Sequence, residues 1–283
     1  MKNHLTNCLI VVCLTFANGY AQKKTLPLNS YKWFPFMWHA AKISGKQFDK
    51  VAILVPAKID RIPAGFILQF DLGSDATSVY GNTLSSYYTP QEYDAFIVKS
   101  AKYTSDAGHT SYDTKGLQLK FGAFSVNNIL LKDKYGDEIP KDSLYTKSPK
   151  ILGTLGADAF KDKILVIDYS KQRMCVLDEM DDFLKKKTTF VETRYQKGRL
   201  HIPFTIKNNT YWLLFDTGAS LFPINTNKNI WTQLVGESIS KDTIEANSWG
   251  EKVKFYAATS KKMFIWVERN LRKMKHGITK TKD

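Results

Sequence analysis

Two stretches of this chain end in the same way. Residues 66–74 read Phe-Ile-Leu-Gln-Phe-Asp-Leu-Gly-Ser, and residues 211–219 read Tyr-Trp-Leu-Leu-Phe-Asp-Thr-Gly-Ala. Each is an apolar run closing on Phe, followed by Asp, one further residue, Gly and a small residue. A short apolar run bounded by turn residues is the pattern of a buried strand. Glycine lets the backbone turn tightly just beyond the carboxylate. A chain that does this twice, at Asp71 and Asp216, is constrained towards two related units that contribute one acid each. Two neighbouring carboxylates cannot both ionise cheaply, so they share a proton, and such a pair can activate water.

The rest of the composition fits that frame. At 283 residues the chain can form two modest domains with a real core. Hydrophobic residues make up 43% and charged residues 24%, the balance of an ordinary globular protein. Its 16 glycines and many Tyr, Phe, Val and Ile favour strands over a helix bundle. The N-terminus reads as a signal peptide, residues 1–21. Lys2 supplies the positive start, Cys8 to Ala17 the apolar segment, and Gly19-Tyr20-Ala21 the small residues before a cut after Ala21. The apolar run is too short to span a bilayer, and no later segment is long or apolar enough. The expectation is export to the periplasm or beyond, with no integral membrane segment once the signal is removed.

Cleavage would also remove Cys8 and Cys13. Cys175 is then alone, which excludes an internal disulfide. Its apolar setting, Arg173-Met174-Cys175-Val176-Leu177, predicts a buried structural thiol rather than a nucleophile. The five histidines are scattered without ligand spacing, so neither a metal nor another cofactor is expected. The net charge of +14 suggests nucleic acid at first, but +6 of it lies in the tail 261–283, and no aromatic–basic recognition motif accompanies it. A solvated basic tail and no nucleic-acid partner is the reading adopted.

Along the chain, Val51 to Val55, Gly65 to Phe70, Leu117 to Phe121, Phe124 to Leu131, Ile164 to Asp168 and Met174 to Leu177 read as strands. Pro90 is placed to start a short helix. Asp178 to Lys187 reads as a linker or short helix between two halves. Leu200 to Ile206 and Tyr211 to Phe215 form a hairpin around Asn208-Asn209, a turn in preference to a glycosylation site at Asn208-Asn209-Thr210. Lys261 to Lys275 has helical spacing, with Phe264, Val267 and Leu271 on one face.

Phe-Asp-Thr-Gly-Ala-Ser at 215–220 resembles the active-site signature of aspartic peptidases of the pepsin and retropepsin type. Ile151-Leu152-Gly153 or Thr154-Leu155-Gly156, followed by Ala-Asp-Ala-Phe and Ile164-Leu-Val-Ile-Asp-Tyr169, resembles the hydrophobic-hydrophobic-Gly element that closes each lobe in that family. The resemblance implies a mainly β, pepsin-like acid-protease fold of two related β-barrel lobes around a cleft. It places the N-terminal lobe at 22–187 and a shortened C-terminal lobe at 188–283. It implies a catalytic pair Asp71 and Asp216, acting on a peptide or protein substrate. Gly73 and Gly218 would shape the two loops, Thr217 would brace them by a cross-lobe hydrogen bond, and Ser74 would support Asp71. Tyr103 and Tyr112 are the candidates for a substrate flap between Asp71 and Gly153.

Two departures leave alternatives open. Leu72 stands where the family has Thr or Ser, so one hydroxyl of the cross-lobe grip is missing. After Asp216 no second hydrophobic-hydrophobic-Gly element is visible, and His276-Gly277-Ile278 lies in a basic context. The expectations are therefore an exported endopeptidase, an inactive relative that binds peptides or acts as a scaffold, or a homodimer in which a partner completes the second lobe.

Overall fold

The computed structural model of the chain describes residues 31–59, 61–105, 108–206, 208–235, 243–248 and 251–259, together with four short strands at Ile10–Cys13, Phe264–Trp266, Arg269–Leu271 and Lys275–Thr279. It is mainly β, with 46% strand and 15% helix.

The long strand Lys46–Ile59 organises the first half. Its buried stretch Ala52–Val55 lies next to the polar Lys46–Lys50 stretch, so one end is core and the other solvated. It pairs antiparallel with Met37–Ile43 on one side and with Phe66–Phe70 on the other, in the register Ile53↔Phe70 and Val55↔Leu68. Phe66–Phe70 is flanked on its second edge by Lys150–Leu155, which runs parallel to it with Leu155 beside Phe70. Lys150–Leu155 is itself antiparallel to Ser78–Tyr80. The sheet then continues through Leu130–Lys132 and Thr110–Thr114 to Ile97–Thr104. Cover on both edges and both faces explains why Phe66, Leu68 and Phe70 are almost wholly buried, as an all-apolar strand requires. Each such side chain contributes roughly 1.5–3 kcal/mol by leaving water. Phe160 meets Phe70 edge-on at 5.9 Å and stacks on Phe124 at 5.7 Å, which ties the strand to the segment after Gly156.

The expected helix at Pro90 runs over Pro90–Phe96 behind a capping box of Thr89 and Glu92. Ile164–Asp168 and Arg173–Leu177 form an antiparallel pair, with Phe34–Pro35 on one edge and Ile10–Cys13 parallel on the other. The rest of the proposed signal segment, including the cut after Ala21, lies outside the described residues. Cys175 is free and buried beside Tyr31, Val166 and Leu184, and burial pushes its thiol up to about 12, so it is no nucleophile. The linker contains a helix, Asp182–Lys187, capped by the Asp181 carboxylate on the Leu184 N–H.

The second half repeats the first in its pairing, although little sequence repeats outside the Asp strands. Arg199–Ile206 and Asn209–Leu214 form an antiparallel pair, as Lys46–Ile59 and Phe66–Phe70 do. Beyond Asp216, the sheet order is Ile224–Thr226, Lys275–Thr279, Glu251–Thr259, Thr243–Ser248. Its successive contacts are parallel, antiparallel and antiparallel. That is the order and sense of Ser78–Tyr80, Leu130–Lys132, Thr110–Thr114 and Ile97–Thr104 in the first half. A helix follows the first strand of each set, Gly81–Ser85 and Lys228–Val235. One component differs. Among the described residues no strand pairs with Asn209–Leu214 on the edge that Lys150–Leu155 covers in the first half. Trp212, Leu213 and Leu214 are accordingly only half-buried.

Three expectations are corrected. Among the described residues the sheets do not close into barrels. Closure needs edge strands long enough to meet in register, and edges such as Phe124–Val126 are only three residues long. Phe124 to Leu131 is two strands, Phe124–Val126 and Leu130–Lys132, separated by a short irregular stretch whose Ile129 carbonyl accepts the Thr114 N–H. The helix expected over 261–275 is replaced by the paired strands Phe264–Trp266 and Arg269–Leu271. Aromatic and β-branched residues there satisfy either period, and pairing decides between them. Among the described residues no helix is long and apolar enough to cross a membrane.

Candidate active site

Asp71 and Asp216 each stand at the end of an apolar strand, on a loop that folds the carboxylate back over its own backbone. The Gly73 and Ser74 N–H groups donate to Asp71 Oδ1 at 2.8 and 3.1 Å. The Gly218 and Ala219 N–H groups donate to Asp216 Oδ1 at 2.9 and 3.0 Å. The two loops are thus the same local structure, as the duplicated pattern implies.

They also face each other. A Cβ added at Gly218 would lie 2.6 Å from both Asp71 carboxylate oxygens, and one added at Gly73 would lie 2.7 and 2.8 Å from those of Asp216. Each glycine is therefore the surface against which the opposite carboxylate packs. Glycine is required here by close approach rather than by an unusual φ.

Thr217 joins the loops. Its buried hydroxyl accepts the Leu72 N–H at 2.9 Å and donates to the Phe70 carbonyl at 3.1 Å. Gln69 adds a second tie by donating Nε2–H to the Gly218 carbonyl at 3.0 Å. Leu72 makes no reciprocal hydroxyl bond and instead sits fully buried in the first core. Its burial contributes roughly 1.5–3 kcal/mol, more than the roughly 1 kcal/mol of a typical hydrogen bond. Thr217→Val, which keeps shape but removes both bonds, should lower stability by about 2–4 kcal/mol, read as a fall in melting temperature, with Thr217→Ser close to wild type.

The predicted closing element holds the Asp71 loop from the other side. The Asp71 N–H donates to the Leu155 carbonyl at 3.0 Å, and the Ala157 N–H to the Ser74 carbonyl at 2.9 Å. Asp158 accepts both the N–H and the hydroxyl of Thr77 at 2.7 Å. Ser74 supports Asp71 through its backbone N–H, because its hydroxyl is used on the Ala76 carbonyl.

The two acids differ in environment. Asp71 is 5% exposed, whereas Asp216 is exposed. Burial, then the charge of Asp216 and the hydrogen bond to it, push the Asp71 carboxyl up to about 7, against the opposing N–H bonds of Gly73 and Ser74. The raised Asp71 carboxyl therefore keeps its proton through the mildly acidic range.

Asp71, Asp216, Gly73, Ser74, Thr217 and Gly218 are brought together. Tyr103 and Tyr112 do lie on a hairpin between Asp71 and Gly153, Ile97–Thr104 with Thr110–Thr114. Neither makes a described contact with the carboxyls: the exposed Tyr103 donates to Asp113, and Tyr112 packs on the first core. The tyrosine in electrostatic range of Asp71 is Tyr80, bonded through its hydroxyl to Thr154 at 3.1 Å. Neither Tyr80 nor Gln69 is marked by any sequence pattern except its place on a strand flanking the Asp71 loop. Among the described residues no three His, Cys, Asp or Glu side chains converge as metal ligands. No protein-family model matches the chain, and no curated protein matches it at a significant level.

Proposed function

We propose that this protein is an exported aspartic-type endopeptidase of pepsin-like organisation, hydrolysing peptide bonds with water held between Asp71 and Asp216. The observation that carries this reading is the reciprocal packing of each loop glycine against the opposite carboxylate. In the proposed step the exposed Asp216 carboxylate takes a proton from water as its oxygen adds to the peptide carbonyl carbon. The buried Asp71 gives its proton to the carbonyl oxygen. Collapse of the tetrahedral species breaks the C–N bond, the amine leaving with the proton taken by Asp216 and Asp71 recovering its own from the hydroxyl. Water is consumed and both carboxyls end as they began. The signal-like N-terminus supports export.

The test is cleavage of a mixed peptide library by the purified protein between pH 3 and 8. Turnover should be greatest where the pair holds one proton, and fall away as pH rises past about 7, where Asp71 loses its proton. One observation favours a non-catalytic peptide-binding module instead: among the described residues, no strand covers Leu213 and Leu214, leading to Asp216, as one covers their counterparts. Peptide retention without any cleavage across that range would decide for the module.

A further inference from the structure

The two Asp loops are alike within themselves but are held from outside in different ways. The closing element grips the Asp71 loop, through the Leu155 carbonyl on the Asp71 N–H and the Ala157 N–H on the Ser74 carbonyl. Among the described residues no such strand stands beside Asn209–Leu214. The Thr217 hydroxyl holds the first loop, and Leu72 has no hydroxyl to hold the second in return. Gln69 reaches the second loop instead. Aligned on Phe-Asp, it is the counterpart of Leu214, which has no donor to offer. It is the one polar residue of Phe66–Phe70, half-buried between the buried Leu68 and Phe70, whose side chains alternation sends to the other face. Its Nε2–H donates to the Gly218 carbonyl at 3.0 Å. That carbonyl and the Ala219 N–H belong to one peptide unit, and the Ala219 N–H donates to Asp216 Oδ1 at 3.0 Å. A line of two hydrogen bonds thus runs from Gln69 through a single rigid plane to the exposed carboxylate. Gly218, at the edge of that plane, is also the surface against which the Asp71 carboxylate packs.

We propose that Gln69 is a positioning residue for the acid pair: by holding the Gly218 carbonyl it fixes the Gly218–Ala219 peptide plane, and that plane aims Asp216 at the place where Asp71 works. The inference rests on the proposed hydrolytic pairing of Asp71 with Asp216. Glycine at 218 is needed for the close approach of Asp71, and it leaves the plane beside it free to rotate. Asp216 is exposed, so water competes for its carboxylate and a loosely held N–H would lose to it. A donor on the carbonyl side stops the rotation and polarises the peptide, which strengthens the N–H bond on the other side. The first loop needs no such donor, because the closing element already fixes it. Gln69 therefore does for the second loop, from the first half of the chain, what Leu155 and Ala157 do for the first.

The test has two arms, both on the full chain and both read against wild type at the same pH. The first is hydrogen exchange of the Ala219 amide by NMR, which needs no activity. The second is peptide cleavage, with kcat and KM separated. Gln69→Met keeps the length of the side chain and removes the donor. It should speed Ala219 exchange about five-fold, and lower kcat about ten-fold with KM within about two-fold. Gln69→Glu can donate only while protonated. It should match wild type below about pH 4 and behave as Gln69→Met above about pH 6, in both arms. A side chain that merely fills space would show no such switch. Gln69→Leu replaces Gln69→Met if the latter melts below the working temperature. Wild-type exchange and kcat in the donor-less variant, or a Gln69→Glu that follows wild type at every pH, overturns the proposal. Failure of the hydrolytic reading looks different: wild type itself would then cleave nothing, while Ala219 exchange would still respond to residue 69.

Discussion

Asp71→Asn should abolish peptide hydrolysis and at the same time make the protein more stable at neutral pH. The loss of activity, of the order of 10²–10⁴-fold, follows from removing the group that donates a proton to the substrate. The gain in stability has a separate cause. The folded Asp71 carboxyl is raised from 3.8 to about 7, chiefly by burial and then by Asp216. A group raised in this way binds its proton more tightly when folded. Its contribution is therefore fully present below about pH 4 and is lost as pH climbs to about 7. At pH 8 the wild-type fold confines an ionised, buried Asp71 beside a second carboxylate, at a cost of roughly 2–4 kcal/mol. The neutral amide still accepts the Gly73 and Ser74 N–H groups and removes that cost. Melting curves should show Asp71→Asn several degrees above wild type at pH 8 and no higher at pH 4. Asp216→Asn should also lose activity, and should stabilise at pH 8 through the relief it gives Asp71. A variant that kept its turnover, or that melted with wild type at pH 8, would show that the carboxyls do not interact as described.

Much of the site can be read from residues alone, and the reason is local. Phe-Asp-Leu-Gly-Ser and Phe-Asp-Thr-Gly-Ala each make their carboxylate-to-N–H bonds within three residues, so each loop is legible wherever it lies. Thr217 is legible as a brace only through the resemblance of Phe-Asp-Thr-Gly to the aspartic-peptidase signature. The fate of Leu72 was not. Whether a lost hydroxyl weakens a loop depends on what the replacement packs with, and Leu72 belongs to a core that includes Leu155 and Phe160, far away in sequence. Tyr80 escaped notice for a similar reason: it is ordinary in its own strand, and only the antiparallel pairing of that strand with Lys150–Leu155 brings its hydroxyl to Thr154. The repetition of the second half is plainest in pairing order. Ile224–Thr226 and Lys275–Thr279 share no motif with Ser78–Tyr80 and Leu130–Lys132, and helical spacing in 264–271 even points the wrong way.

Gly218→Ala should damage the protein more than Gly73→Ala, although the two positions are counterparts. Neither change is strained by backbone conformation; the difficulty is where the new methyl goes. At Gly218 it would sit 2.6 Å from both oxygens of Asp71, about 1 Å inside ordinary contact. Asp71 is buried, carries N–H bonds from Gly73 and Ser74, and has its own N–H fixed to Leu155. It has no open space to retreat into, so the loops must part, straining the Thr217 bonds to Leu72 and Phe70 that cross between them. Overpacking at such a site costs about 1–3 kcal/mol, and an ångström of displacement between reacting groups costs about 10²-fold in rate. At Gly73 the methyl meets Asp216, which is exposed and can rotate towards solvent. That variant should lose comparable activity with a much smaller fall in melting temperature. Gly65→Ala, where nothing lies within 4 Å, is the control and should melt within about 0.5 kcal/mol of wild type. Equal melting of Gly218→Ala and Gly65→Ala would mean that the loops do not touch in solution. Then a single carboxylate, without its partner, would have to be assigned whatever chemistry the cleavage assay reveals.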